Sequence, residues 1–311
     1  MTSSGQPLPV VGAPTVDTTR ARATTARKGP SLGRLLLHLS LLALVVIWVI
    51  PTIALLVASF RPAAATNTSG WWTAFVPPWE FTMENYEYVL GRAGIDQAFI
   101  NSFIITVPAT ILVVMIAAFA AYAFAWMEFP GRNFLFVVVV GLLVVPLQIT
   151  LIPVLNFFRD FQPAGIEING TMLAVWLAHT GYGLPFAIYL LRNYFGSLPR
   201  EVFESGAIDG ASPSTSFFRL ALPMSVPALA SLTIFQFLWV WNDLLVALVY
   251  LGGESRNHPL SVVLANLTTS FGGGWQFLTA AAFVSMIVPI IVFLSLQRYF
   301  VRGITGGAVK G

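Results

Sequence analysis

Six stretches of this chain run for more than about 20 residues without one charged side chain, long enough for a helix to cross a bilayer. They are Leu35–Phe60, Gln97–Met127, Asn133–Phe158, Ile168–Leu191, Leu220–Asn242 and Asn257–Gln297. The fifth continues past Asp243 to about Leu251. The sixth is too long for one span; Gly272, Gly273 and Gly274 break it and leave a helix from about Phe277 to Phe300. Only 9% of residues are charged, against roughly 25% in soluble domains, so a water-soluble fold lacks its polar surface. The expected fold class is all-α: a polytopic membrane protein with six transmembrane helices. Pro51, Pro108, Pro146, Pro153 and Pro185 fall inside spans, where neighbouring helices satisfy the freed backbone groups.

The basic residues orient the spans. Arg20, Arg22, Arg27, Lys28 and Arg34 precede the first span, and Arg132, Arg192, Arg200, Arg219, Arg298, Arg302 and Lys310 fall on the same side of alternate spans. Only Arg61, Arg92, Arg159 and Arg256 fall on the other. A twelve-to-four bias predicts a multi-pass protein of the cell (inner) membrane with both termini cytoplasmic. Residues 1–34, rich in Thr, Pro, Ala and Arg without periodicity, read as a disordered tail. Residues 35–303 form the transmembrane domain and 304–311 a second cytoplasmic tail. The first span is longer than a signal-peptide core, so it is expected to remain as an anchor. Trp71, Trp72 and Trp79 in the outer loop suit the headgroup level.

The longest informative cytoplasmic loop, residues 197–223, reads SLPREVFESGAIDGASPSTSFFRLALP. Pro199 fits a first turn, and Glu201 and Glu204 follow where the helix dipole favours negative charge. Gly210 suits the left-handed residue past a helix end. Ser212–Pro213 reads as an N-cap followed by proline at the first helical position. Pro223 is expected to end this second helix and turn the chain into the fifth span. Two short helices with a sharp break form a knob that either docks another protein or is a solvated connector.

Glu204-Ser205-Gly206, then Gly210, then nine residues, then Leu220-Ala221-Leu222-Pro223 resembles the EAA loop of ABC importer permeases. The family pattern has two alanines where this chain has Ser205 and Gly206, and isoleucine at Leu220. Gly206 weakens the helix by roughly 1 kcal/mol relative to alanine. The resemblance covers nearly the whole chain after Leu35. It continues in Phe81–Tyr86, Glu128–Arg132, Leu177–Thr180, Leu184–Ala187, Trp241–Asp243 and Gln297–Gly303, and is nearest to the second, maltose-type permease subunit. Ser69–Phe75, SGWWTAF, resembles α-glucoside permeases. The resemblance implies the type I permease fold of ABC importers. It also implies ATP-driven alternating access that brings a sugar or oligosaccharide into the cell. Its implied partners are a homologous second permease, two ATP-binding subunits, an extracytoplasmic sugar-binding protein, membrane lipid and the carbohydrate. ATP and Mg would be used by the ATPase, with no cofactor bound by this chain. Glu201, Glu204, Ser205, Gly206, Asp209, Gly210, Ala211, Leu222 and Pro223 are the implied coupling residues.

Polar groups inside spans are expensive and mark functional candidates. Asp243, with Asn242, Trp239 and Trp241 beside it, reads either as part of a sugar path or as a packing or hinge network. Gln148, Asn156, His179 and Tyr182 are further path candidates, whereas His38 near a span end suits the interface.

Other chemistries lack their residues. Lys28 and Lys310 are the only lysines, and neither lies in the phosphate-cradling G-x4-G-K-[ST] loop, so the energy must come from a partner. There is no Cys, no H-E-x-x-H, no G-x-S-x-G, and no basic cluster interleaved with aromatics for nucleic acid. An ion-gradient-driven secondary transporter is the leading alternative, but it calls for internal repeats and several buried carboxylates. A membrane-embedded enzyme would need convergent catalytic residues, and a channel a selectivity ring.

Overall fold

The computed structural model describes residues 32–91, 94–253, 255–267 and 273–308. The chain divides into two compact units, Met1–Pro51 and Thr52–Gly311. Most of the sequence-predicted tail, residues 1–31, lies outside the described residues. The described residues of the first unit belong to the helix α1 (Leu32–Ser59), which begins three residues before the expected boundary and carries no charged side chain after Arg34.

The second unit is a bundle. Helix α2 (Glu84–Gly91) precedes the 32-residue span α3 (Ile95–Trp126). The third charge-free window forms α4 (Arg132–Leu142) and α5 (Leu147–Asp160). The fourth forms α6 (Met172–Gly196), and the loop after it forms α7 (Arg200–Ile208) and α8 (Pro213–Met224). Next come α9 (Val226–Trp241), α10 (Leu245–Leu251) and α11 (Leu260–Ala265), and last α12 (Trp275–Ala308). Four helices are long and apolar enough to span, and two bent helix pairs bring the number to six.

Four expectations are corrected. The third span is not one helix: α4 and α5 meet at 105°, because Pro146 takes an extended conformation (φ −64°, ψ 130°) and lacks the amide to continue α4. The fifth span does not run unbroken to Leu251; it stops at Trp241 and restarts at Leu245. Nor does Pro223 end the second loop helix. It sits inside α8, and the 75° turn into the next span falls at Ser225, two residues before Pro227 in the first turn of α9. The last helix likewise outruns the expected boundary at 303 and continues to Ala308; residues 309–311 lie outside the described residues.

Small residues let α3 and α6 approach closely. Ala109, Ala117 and Ala121 on one helix and Ala174 and Ala187 on the other are all fully buried. Pro108 and Pro185 lie within these helices. Where α1 ends, Arg61 folds inward rather than facing water: its guanidinium donates to the Ser69 and Gly70 carbonyls and to the Ser69 and Thr73 hydroxyls. This arginine gathers the tryptophan-rich segment after α1 into a compact turn.

Candidate functional site

Two constellations stand out, one at the basic end of the bundle and one in its middle. The first is the knob formed by α7 and α8. Pro199, extended at φ −60° and ψ 124°, starts α7, and Glu201 occupies its first turn. Phe203 turns inward and stacks on Trp126 at 3.9 Å between ring centroids, fixing α7 to the end of α3. Glu201, Glu204, Ser205 and Asp209 stay exposed.

At the knob's tip the chain reverses at Gly210, whose φ is +80°. The Ala211 amide donates to the Gly206 carbonyl at 2.9 Å and the Gly210 amide to that of Ala207 at 3.0 Å. Those two bonds make a Schellman turn, closing the last carbonyls of α7. Open space surrounds the position a Gly210 Cβ would take, so glycine is required there by backbone conformation alone. Gly206 has a different reason: its Cβ would meet Leu220 Cδ1 at 3.1 Å, so the absent side chain lets α8 lie close. Ser212 caps α8 by accepting the Thr215 amide at 3.2 Å. Leu222 is half-buried and Pro223 exposed. Ile208 is 87% exposed beside the reversal, an apolar tip that sequence reading passed over because it falls on the helical stripe of a short segment.

The second constellation lies at the break after α9. Asp243 Oδ2 accepts the Val246 and Ala247 amides at 2.9 and 3.2 Å, capping α10. His179 on α6, 1% exposed, places Nε2 3.7 Å from the same oxygen and packs edge-on to Trp239. Asn242 donates back to the Leu238 carbonyl and ends α9.

Tyr182, one turn beyond His179, shares hydrogen bonds with the hydroxyls of Tyr250 (2.7 Å) and Thr150 (3.1 Å), tying α6, α10 and α5 together. Tyr182 and Trp239 stand between two cavities. One of about 350 Å³ is lined by Thr150, Val154, Leu177, Pro185 and these two rings. The other, about 330 Å³, adds Phe186, Phe235 and Gln236.

The structure therefore brings His179, Tyr182, Trp239, Asn242 and Asp243 to the break and the cavities beside it, and leaves Gln148, Asn156 and Trp241 elsewhere. Trp241 packs among Phe99, Phe103 and Phe237 on the far side of α9. Gln148 and Asn156 are exposed on α5, and neither lines the two cavities. Gln236 was missed. It is 4% exposed, and its Nε2 has no hydrogen-bond partner among the described residues. It fits against Gly183, where a Cβ would come within 2.8 Å of the amide nitrogen. A polar residue between Phe235 and Phe237 in a charge-free window was the available signal.

Comparisons with known proteins agree with this architecture. The profile described as binding-protein-dependent transport system inner membrane component matches residues 113–306. The osmoprotective compounds uptake permease protein GgtD of Synechocystis sp. is 54% identical over 92% of this chain and 95% of its own length. The α-glucoside transport system permease protein AglG of Rhizobium meliloti is 55% identical over 77% of this chain and 63% of its own. Among solved structures, a chain of a bacterial ABC transporter that imports the acidic polysaccharide alginate shares the fold. Its TM-score is 0.69 at 22% identity, over 87% of this chain and 98% of that one.

Proposed function

The chain belongs to the binding-protein-dependent transport system inner membrane components, the permease subunits of ABC importers, and on that premise we propose how it couples and what it carries. The cargo is a neutral sugar or oligosaccharide, with α-glucosides the first class to try. Relatives named for α-glucosides, arabinooligosaccharides and melibiose support this. So does a cleft of two aromatic rings and a buried amide, the groups that stack on sugar faces and bond to their hydroxyls. His179 and Asp243 hold the helix break in shape, and Tyr182 and Trp239 line the passage.

The observation that carries the coupling reading is the knob. Glu204 and Asp209 are exposed on α7, the Schellman turn at Gly210 sets their angle, and the apolar Ile208 projects beside them. This shape suits insertion into a cleft on a separate ATP-hydrolysing subunit, with the termini and knob in the cytoplasm. A homologous permease completes the pore, two ATPases lie below it, and a sugar-binding protein delivers from above. Hydrolysis and its Mg belong to the ATPases; Glu201, Ser205, Gly206, Ala211, Leu222 and Pro223 shape the docking surface.

Glu204→Lys tests this. The carboxylate is exposed and accepts no hydrogen bond among the described residues, so the substitution leaves the bundle intact. Co-purification of the ATPase should fall sharply while membrane insertion is unchanged. Wild-type complex yield and uptake would make the loop a plain connector.

A further inference from the structure

A polar cavity of about 550 Å³ lies at the basic end of the bundle, where α3 and α6 finish and α4 and α7 begin. Three arginines from three helices line it: Arg132, Arg192 and Arg200. Glu128 and Glu204 share the rim, yet no ion pair among the described residues joins either carboxylate to any of the arginines. Arg192 is held over the Phe136 ring at 4.7 Å, and its Nε is buried without a hydrogen-bond partner among the described residues. Arg132 donates one bond to the Met127 carbonyl and leaves its remaining donors for the cavity. Guanidinium groups arranged this way match the oxygens of a phosphodiester.

An apolar surface adjoins the cavity. Helix α4 starts at Arg132 and buries none of its residues; Phe134 is 71% exposed and Val137 66%. A second hollow of about 310 Å³, lined by Glu128, Gly131, Arg132 and Phe134, shares Glu128 and Arg132 with the first and reaches that surface at Phe134. A ligand with a phosphodiester at one end and a hydrocarbon chain at the other satisfies both halves at once, whereas free phosphate would satisfy only the arginines. Basic pockets between transmembrane helices bind anionic headgroups by the same physics.

We propose that this groove is a binding site for an anionic phospholipid, its phosphodiester on Arg132, Arg192 and Arg200 and its acyl chain along α4. Three positive charges against two negative ones favour a net-negative headgroup such as phosphatidylglycerol over phosphatidylcholine. Arg200 and Glu204 belong to α7, so the groove reaches the root of the knob, whereas Arg132 and Arg192 lie off it. The site does not depend on which sugar passes through the bundle.

Native mass spectrometry of the assembled transporter tests it, after exchange into detergent with phosphatidylglycerol or phosphatidylcholine. The wild type should retain phosphatidylglycerol and shed phosphatidylcholine. Arg132→Gln with Arg192→Gln should weaken phosphatidylglycerol retention roughly 30-fold, the product of two surface arginines. Yield of the complex with its ATPase should not change, which separates this site from the docking surface. Equal retention of the two lipids by the wild type would overturn the proposal without any variant, as would undiminished retention by the double variant. Displacement of phosphatidylglycerol by an equal concentration of glycerol phosphate would show an anion site with no lipid role, and would equally overturn it.

Discussion

The chain breaks its helices at Gly210 and again at Asn242–Leu244, and the two places solve the same problem by different means. At Gly210 the backbone is in contact with water, and a left-handed residue plus two main-chain bonds suffices to close α7. At Asn242–Leu244 the break falls within the fifth apolar segment, and in hydrocarbon an amide without a partner costs several kcal/mol. There the side chain of Asp243 accepts two amides of α10, and Asn242 returns a bond to Leu238. Both breaks open the next helix on a side-chain acceptor, Ser212 or Asp243; they differ at the closing end, which uses main-chain bonds around a left-handed glycine in the knob and a side-chain donor, Asn242, in the apolar window.

The largest expected effect breaks the second region. Asp243→Leu strips the acceptor from the Val246 and Ala247 amides and should destabilise the purified complex by about 3 kcal/mol. Asp243→Asn keeps one acceptor and should lose less than half of that. Thermal denaturation in detergent, read with uptake in the same samples, sorts the two roles open for this residue. A capping role lowers stability first, whereas a sugar-path role lowers uptake at wild-type stability.

Gly183→Ala comes next. Its Cβ would lie 2.8 Å from Gln236 Nε2, and the overpacking should cost about 2 kcal/mol and reduce uptake. Gln236→Ala in the same chain should recover roughly 1 kcal/mol or more, since residues in contact do not act additively. Additive losses would mean that Gly183 and Gln236 do not meet.

In the water-facing break the effects are smaller. Gly210→Val should cost about 1–2 kcal/mol, from the left-handed backbone alone because the space is open. Gly210→Asn, whose side chain tolerates that conformation, should retain ATPase association near the wild-type level. If asparagine fails as badly as valine, the position is sensed by a partner and not only by the backbone. The smallest effect is Gly206→Ala: about 0.5 kcal/mol of added stability, because alanine's helix preference outweighs a 3.1 Å contact with the mobile end of Leu220.

These regions differ in how far the sequence revealed them. The knob follows from rules that act within a few residues: proline before a first turn, glycine past a last one, serine before proline. Its reversal at Gly210 and cap at Ser212 were accordingly legible. Legible too were the charge-free windows, since hydrocarbon thickness fixes their length. The middle of the membrane obeys longer-range rules. That Gln236 lies against Gly183, or Trp239 faces His179 while Trp241 faces Phe103, depends on how α6, α9 and α3 rotate about their axes. Uniformly apolar helices carry no hydrophobic stripe from which to read that rotation. Arg61 shows the same limit, because nothing next to it in sequence announces that its guanidinium bonds Ser69 and Gly70 eight and nine residues on.

The central claim is that this permease moves sugar only when a separate ATPase drives it through the knob. Uptake of a labelled α-glucoside into proteoliposomes tests that directly, with the complete complex and ATP supplied on the knob side. The account predicts uptake that requires both ATP and the ATPase and that is lost with Glu204→Lys. Accumulation by this chain and its partner permease alone, driven by a proton or sodium gradient without ATP, would contradict it.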